Sequence, residues 1–256
     1  MNPYEVVPLR AFNDNYIWTL RDARYAVVVD PGDAQPVLDY LAAEKLDLLA
    51  IVITHHHADH IGGVARLIAG RNLPVYGPHD PRVPEATQRL AEGESITLPH
   101  FGVKLTVLEV PGHTRSHIAY HGDGLLFCGD TLFAAGCGRL FEGTPAQMHD
   151  SLSKFMRLPD ATRVYCAHEY TLANLRFAKA AERANRAVVE WETRAQVQRQ
   201  KDLPTVPSTI GLERAANPFV RCTQAQVIAS ASGHAGKALT DPVSVLAALR
   251  TWKNNF

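Results

Sequence analysis

Residues 53–63 read ITHHHADHIGG. His55, His56, His57, Asp59 and His60 crowd one short stretch. Imidazole is a poor helix former and an awkward core filler, so this density of nitrogen and carboxylate donors points to metal. The stretch follows LLAIVIT (48–54), an apolar run of strand character, and precedes IGGVARLIAG (61–70), which reads as a helix. In an extended segment residues i and i+2 project to the same side. His55 and His57 can therefore share one ion, while His56 faces away. Asp59 and His60 come as the chain turns toward the helix, where they reach a second ion or complete the first.

Further donors recur at one structural position. His113 follows LTVLEVPG, Asp130 follows LLFCG, and His168 follows VYCA. Each sits just past an apolar run. If those runs are strands of packed sheets, their ends gather at one rim. The set is then His55, His57, Asp59, His60, His113, Asp130 and His168. A catalytic zinc takes three protein ligands plus water, so seven donors, one carboxylate bridging, suit two divalent ions per chain. Zinc is the first expectation, with iron or manganese open to the same N/O donors. A closed structural zinc site favours thiolates in paired spacings, and Cys128, Cys137, Cys166 and Cys222 are scattered. His79, His100, His117, His121, His149 and His234 read as surface or packing residues, with His117 placed to orient a ligand.

The rest of the chain is that of an ordinary globular protein. Its 256 residues are 46% hydrophobic and 20% charged, with a formal net charge of zero. That balance gives no bias toward nucleic acid. No apolar run reaches the roughly 20 residues a bilayer requires, and the first residues show no signal peptide. Unpaired cysteines fit a reducing cytoplasm. NYIWTL, YAVVVD, LLAIVIT, KLTVLEV, GLLFCGD and TRVYCAH read as strands. Helices are expected over 35–44, 63–68, from Thr144 in TPAQ, across 171–200, and from caps at Thr223 and Asp241. The last third carries no strand signal. The expectation is an α/β domain over 1–165 and a mostly helical domain over 166–256.

THHHADHIGG, PGHT, CGDTLF and AHEYT together resemble the metallo-β-lactamase superfamily. Within it, FNDNY, CGRLFEGT, AHEYTLANLRFA, NPFVR and the terminal RTWKNNF are similar, in order, to segments of the glyoxalase II (hydroxyacylglutathione hydrolase) family. The resemblance implies an αββα sandwich with a smaller helical C-terminal domain. It assigns His55, His57 and His113 to one ion, Asp59, His60 and His168 to the other, and Asp130 to both. It implies glutathione contacts from Tyr170, Arg139, Arg250 and Lys253. Arg139 stands where some members have Lys, and Phe141 where some have Tyr, without a hydroxyl to donate.

The activity implied is hydrolysis of S-D-lactoylglutathione and other S-2-hydroxyacylglutathiones to glutathione and a 2-hydroxy acid, the second step of methylglyoxal detoxification. Two cations about 3.5–4 Å apart generate hydroxide near neutral pH, and Asp59 and Asp130 are the carboxylates closest to that chemistry. The expected enzyme is a cytoplasmic monomer without nucleic-acid or membrane partners. A glutathione persulfide dioxygenase using one iron is the alternative within the superfamily. A lactonase-like hydrolase and a non-catalytic metal-binding module are more distant rivals.

Overall fold

A computed structural model describes residues 3–256. It divides into two compact units, Met1–Glu109 with Ser116–Gly129, and Val110–Arg115 with Asp130–Phe256.

The first unit contains β1 (Glu5–Ala11), β2 (Asn15–Arg21), β3 (Tyr25–Val29), α1 (Ala34–Glu44), β4 (Asp47–Val52), α2 (Ala58–Ile61), α3 (Val64–Ile68), β5 (Val75–Pro78), β6 (Gln88–Leu90), β7 (Ser95–Thr97), β8 (Lys104–Glu109), β9 (Ile118–Gly122) and β10 (Leu125–Gly129). Strands β1 to β6 form one sheet in sequence order. The first three are antiparallel, and β3 to β6 run parallel. Parallel neighbours need crossover segments; α1 supplies the first and α2 with α3 the second.

Ala26, Val28, Ile51 and Ile53 pack with Val37, Leu41, Val64 and Leu67 of the helices. Val27, Val29, Ala50 and Val52 alternate with them and are equally buried. A sheet covered on both faces gives near-continuous apolar strands, which is why YAVVVD and LLAIVIT read so clearly. β7 to β10 form an antiparallel meander in the second sheet. Ile118 N–H donates to Thr54 O at 3.0 Å, and the Tyr120 hydroxyl donates to Ile53 O at 3.0 Å, tying β9 to the end of β4.

The second unit contains β11 (Leu132–Phe133), β12 (Gly136–Cys137), α4 (Pro145–Phe155), β13 (Arg163–Cys166), α5 (Thr171–Ala181), α6 (Arg186–Gln200), β14 (Ser208–Thr209), α7 (Ile210–Ala216), a single 3-10 turn at Pro218–Val220, α8 (Ala225–Ala235) and α9 (Pro242–Asn254). Thr144 caps α4 in a full capping box with Gln147, and the Asp241 carboxylate accepts Ser244 N–H at the start of α9. Two expectations need correction. The last third does contain a strand, β14, paired with Arg163 and Val164. The cap of α8 is Gln224, without a side-chain bond, rather than Thr223. The stretch 171–200 is helical as expected, divided into α5 and α6. Among the described residues no helix is long and apolar enough to cross a membrane.

Candidate metal centre

The first unit presents donors from one loop and one helical turn. β4 runs into Thr54 and His55, and His57 is the N-cap of α2, so Asp59 and His60 fall in its first turn. His55 Nε2 lies 3.1 Å from His57 Nδ1. The orientation of His55 is set from behind. The Thr54 hydroxyl donates to Asp30 Oδ2 at 2.7 Å, and Thr54 N–H donates to Asp30 Oδ1 at 2.7 Å. With its hydrogen spent, Thr54 Oγ1 accepts from His55 Nδ1 at 3.1 Å. His55 Nε2 is then a bare lone pair facing the next imidazole.

His60 repeats the device. Its Nδ1 lies 3.1 Å from Asp30 Oδ2 and its Nε2 lies 3.6 Å from Asp59 Oδ2. Both nitrogens face a carboxylate, and Asp30 is the nearer, which favours the hydrogen on Nδ1 and a lone pair on Nε2. Outer partners that fix tautomer in this way are characteristic of metal-binding histidines. Asp59 is itself held by Asn15 Nδ2 at 3.0 Å. His55 and His60 are buried, while His57 and Asp59 remain partly exposed, leaving a wet side to the donors.

Asp30 is therefore the hub of this unit, and with His55 and His60 it forms one fully buried cluster of potential ligands. Asp30 is not among the donors expected from the sequence. The signal was present, since Asp30 closes YAVVVD just as His113, Asp130 and His168 close their runs. Two glycines keep the ground clear. A Cβ on Gly32 would lie 1.9 Å from Asp59 O, and one on Gly129, whose φ is +47°, would lie 2.3 Å from Thr54 Oγ1. His117 stacks flat on His55, with ring centroids 4.5 Å apart. His56 turns to Asp80, with Nδ1 3.5 Å from Oδ2. Burial alone would raise the Asp80 carboxyl, but bonds from Arg82 and Ser116 hold it well below the usual range.

In the second unit the donors are far apart in sequence and close in space. Asp130 Oδ2 lies 3.3 Å from His113 Nε2, and Asp130 Oδ1 lies 3.4 Å from His168 Nε2. His113 Nδ1 donates to Arg139 O at 2.9 Å. Its Nε2 is again a lone pair, here facing a carboxylate oxygen. Two acceptors at that distance repel each other unless a proton or a metal cation lies between them. His168 stacks on Tyr170 at 4.8 Å, and Phe133 sets its ring edge-on to both, at 5.7 and 5.3 Å.

The residues expected to contact substrate fall in this unit. Tyr170 and Arg139 are exposed, and Phe141 stands 64% exposed beside the His113 ring. Arg250 is buried, with Nη1 donating to Cys137 O at 2.7 Å and its guanidinium 5.2 Å over Phe219. Lys253 Nζ donates to Ala173 O at 3.1 Å. Burial first, and then the charges of Arg250, Arg176 and Arg139, bring its pKa down to about 8. Arg176, exposed on α5, belongs to this cationic group and carries no signal in the sequence, being one of several arginines spread over 171–200. All four cysteines are buried, and none is in a disulfide. Burial pushes Cys166 and Cys222 up to about 12, far from a working thiolate.

Residues 12–168 match the model of the metallo-β-lactamase superfamily, and residues 169–256 match that of the hydroxyacylglutathione hydrolase C-terminus. A crystal structure of the protein TTHA1623 in a di-iron-bound form is similar at a TM-score of 0.59 and 26% identity, over 84% of this chain and 99% of that one. A hydroxyacylglutathione hydrolase of Nitrosomonas europaea is 53% identical across 98% of this chain and 96% of its own. One from Aeromonas salmonicida is 53% identical across 99% of this chain and 100% of its own. The chain belongs to the metallo-β-lactamase superfamily and, within it, to the hydroxyacylglutathione hydrolases.

Proposed function

We propose that the chain hydrolyses S-D-lactoylglutathione and related S-2-hydroxyacylglutathiones, using two divalent ions held by its histidine and aspartate donors. The observation that carries the metal reading is Asp130, which turns one oxygen to each of two imidazoles. That is the posture of a carboxylate shared between two cations. His55, His57 and His113 then serve one ion, and Asp59, His60 and His168 the other. Zinc is the proposed metal, and iron or manganese suits the same donors. When bound, such a pair supplies hydroxide near neutral pH and polarises a carbonyl.

The chain's own residues do the rest. Asp30 and Thr54 keep the His55 and His60 lone pairs turned outward. The Arg139 carbonyl does the same for His113. Asp59, partly exposed and anchored by Asn15, is the carboxylate best placed to meet water. The thiolate of glutathione leaves readily, since the parent thiol has a pKa of about 8.5. No side-chain nucleophile is needed, in keeping with the buried thiols. Tyr170, Arg139, Arg250 and Lys253 bind glutathione. Arg250 spends Nε on Asn254 and Nη1 on Cys137 O, leaving Nη2 for a carboxylate.

We assign the hydrolytic role to residues 1–165 and substrate binding to residues 166–256, which also contribute His168. We also propose a cytoplasmic location, in keeping with four cysteines outside any disulfide, and a monomeric working form. The test is loss of thioester absorbance with S-D-lactoylglutathione, with elemental analysis of the same sample. Hydrolysis with two ions per chain supports the proposal. A single iron, with no hydrolysis and oxygen uptake on glutathione persulfide, overturns it.

A further inference from the structure

We propose that Glu213, with Asn217 and Asn174, forms a buried polar socket that fixes the hairpin of β11 and β12 and thereby orients the His113 and His168 rings for metal. This rests on the metal-centre reading above.

The tip of the hairpin has its backbone groups taken by side chains from three helices and the segment after α7. Asn174 of α5 donates to Ala134 O at 3.0 Å. Glu213 of α7 accepts Ala135 N–H at 3.0 Å. Asn217, just after α7, donates to Gly136 O at 2.9 Å and reaches Phe133 O at 3.4 Å. Arg250 of α9 donates to Cys137 O. Asn217 also donates to Glu213 Oε2 at 2.9 Å, and the Ser208 hydroxyl bonds the other carboxyl oxygen. Ala135 carries φ +56°, a left-handed conformation costly for a residue with a Cβ. Strain of this kind persists only where the surroundings over-determine it.

Glu213 and Asn217 are fully buried and Asn174 nearly so. Burial raises the Glu213 carboxyl to about 7 although every hydrogen bond it accepts pulls the other way. Apolar residues could not satisfy the buried backbone groups of this hairpin, and the bonds that do satisfy them also fix where the hairpin lies. The hairpin has three neighbours that matter. Asp130 stands two residues before it. Phe133 within it braces both His168 and Tyr170. Arg139, two residues after it, takes the His113 Nδ1 hydrogen. A hairpin free to shift would turn both imidazoles. The socket residues touch neither metal nor substrate; they are positioning residues.

The experiment uses the full-length chain and zinc alone, without any thioester. Zinc affinity is measured by competition with a colorimetric chelator, and Tm is measured with and without zinc. Glu213→Ala is expected to weaken zinc by about 10-fold or more, the scale of losing an outer partner, and to narrow the gap between the two Tm values. Glu213→Gln is expected to restore affinity to within about 3-fold. Its amide oxygen accepts from Ala135 and Asn217, and its amino group donates to Ser208. A Glu213→Ala protein whose Tm falls equally in both forms, with zinc affinity lowered less than about 3-fold, overturns the proposal. If Glu213→Ala does not fold, Asn174→Ala removes the single bond to Ala134 O, and unchanged zinc affinity there overturns it equally. Failure of the thioester reading would leave these results standing, whereas a wild-type chain that binds no zinc would sink the metal centre itself.

Discussion

The first unit draws its donors from six consecutive positions and steers them with one charged side chain, Asp30, which serves both Thr54 and His60. The second draws His113, Asp130 and His168 from three separate segments and steers them with a neutral carbonyl, a stacked tyrosine and a clamped hairpin. A charged partner raises imidazole basicity as well as fixing its tautomer. A neutral carbonyl fixes the tautomer with less effect on basicity, and aromatic rings fix geometry alone. The first arrangement concentrates its dependence in one outer residue. The second spreads it over many, leaving Asp130 as the one side chain in that unit facing both imidazoles.

Two substitutions probe that contrast at its strongest. Asp130→Ala is expected to remove both ions and lower turnover by more than the roughly 10–100-fold that loss of an outer partner costs. Elemental analysis of the purified variant checks it, and two retained ions would rule out a shared carboxylate. Asp30→Ala comes next, with zinc affinity falling by about 10–100-fold although Asp30 is not among the seven assigned ligands. Chelator competition reads this directly. An unaltered affinity would mean that His60 finds its tautomer without Asp30, and the two units would then be steered alike.

The same contrast explains what the sequence disclosed. HHHADH was legible because its donors and their spacing are contiguous. The runs YAVVVD and LLAIVIT were legible because a doubly covered sheet needs continuous apolar strands. β1 was not, since EVVPLRA is mostly half-buried and carries Pro8, and edge strands tolerate proline while blurring the pattern. β14 is two residues long and exists through pairing with Arg163 and Val164, information that lies far away in the chain. The break between α5 and α6 is fixed by Asn185, which caps α6 and bonds Glu182, itself held by Arg221. Tertiary partners overrode a continuous helical composition there. Asp30 differs: its position was readable, and only its role was not.

A smaller effect is expected at the cationic group of the second unit. Lys253→Met with Arg250→Ala should raise KM for a glutathione thioester roughly 10-fold, within the range of bonds to charged groups weakened by exposure. kcat should stay within about 3-fold, because these contacts are remote from the reacting carbonyl. Arg250→Ala also loses its bond to Cys137 O, so the single Lys253→Met variant isolates the binding effect. With a pKa near 8 in the folded chain, Lys253 loses its charge as pH rises through that value. KM is therefore expected to climb above about pH 8 in the wild type and to stay flatter in Lys253→Met. For stability the sign is opposite. Above about 8 the unfolded lysine, titrating near 10.5, holds a proton that the folded one has released, so this group's contribution rises with pH across that window. A KM profile identical in wild type and Lys253→Met would take Lys253 out of the substrate site.

The smallest effect is expected at the middle histidine of the run. His56 lies in the same stretch as His55 and His57, yet its Nδ1 approaches Asp80 rather than the other donors. Asp80 does not depend on it. Arg82 bonds Asp80 through Nε and Nη2 at 2.9 and 2.8 Å, and Ser116 adds a third donor. Removing His56 thus leaves no buried charge without partners, which is the condition that makes such losses expensive. The ring packs beside His55 and His57 with centroids 6.4 and 4.9 Å away, so some packing is lost, of about 0.5–1 kcal/mol for a partly exposed side chain. His56→Ala should keep two ions, with kcat within about 2-fold and Tm lowered by about 2–4 °C at most. Elemental analysis of this variant beside His57→Ala makes the decision. Loss of an ion from His57→Ala alone supports alternation along the extended segment. Loss from both would mean that the loop leaves its extended path when metal binds, and the facing of every donor in the first unit would have to be reassigned.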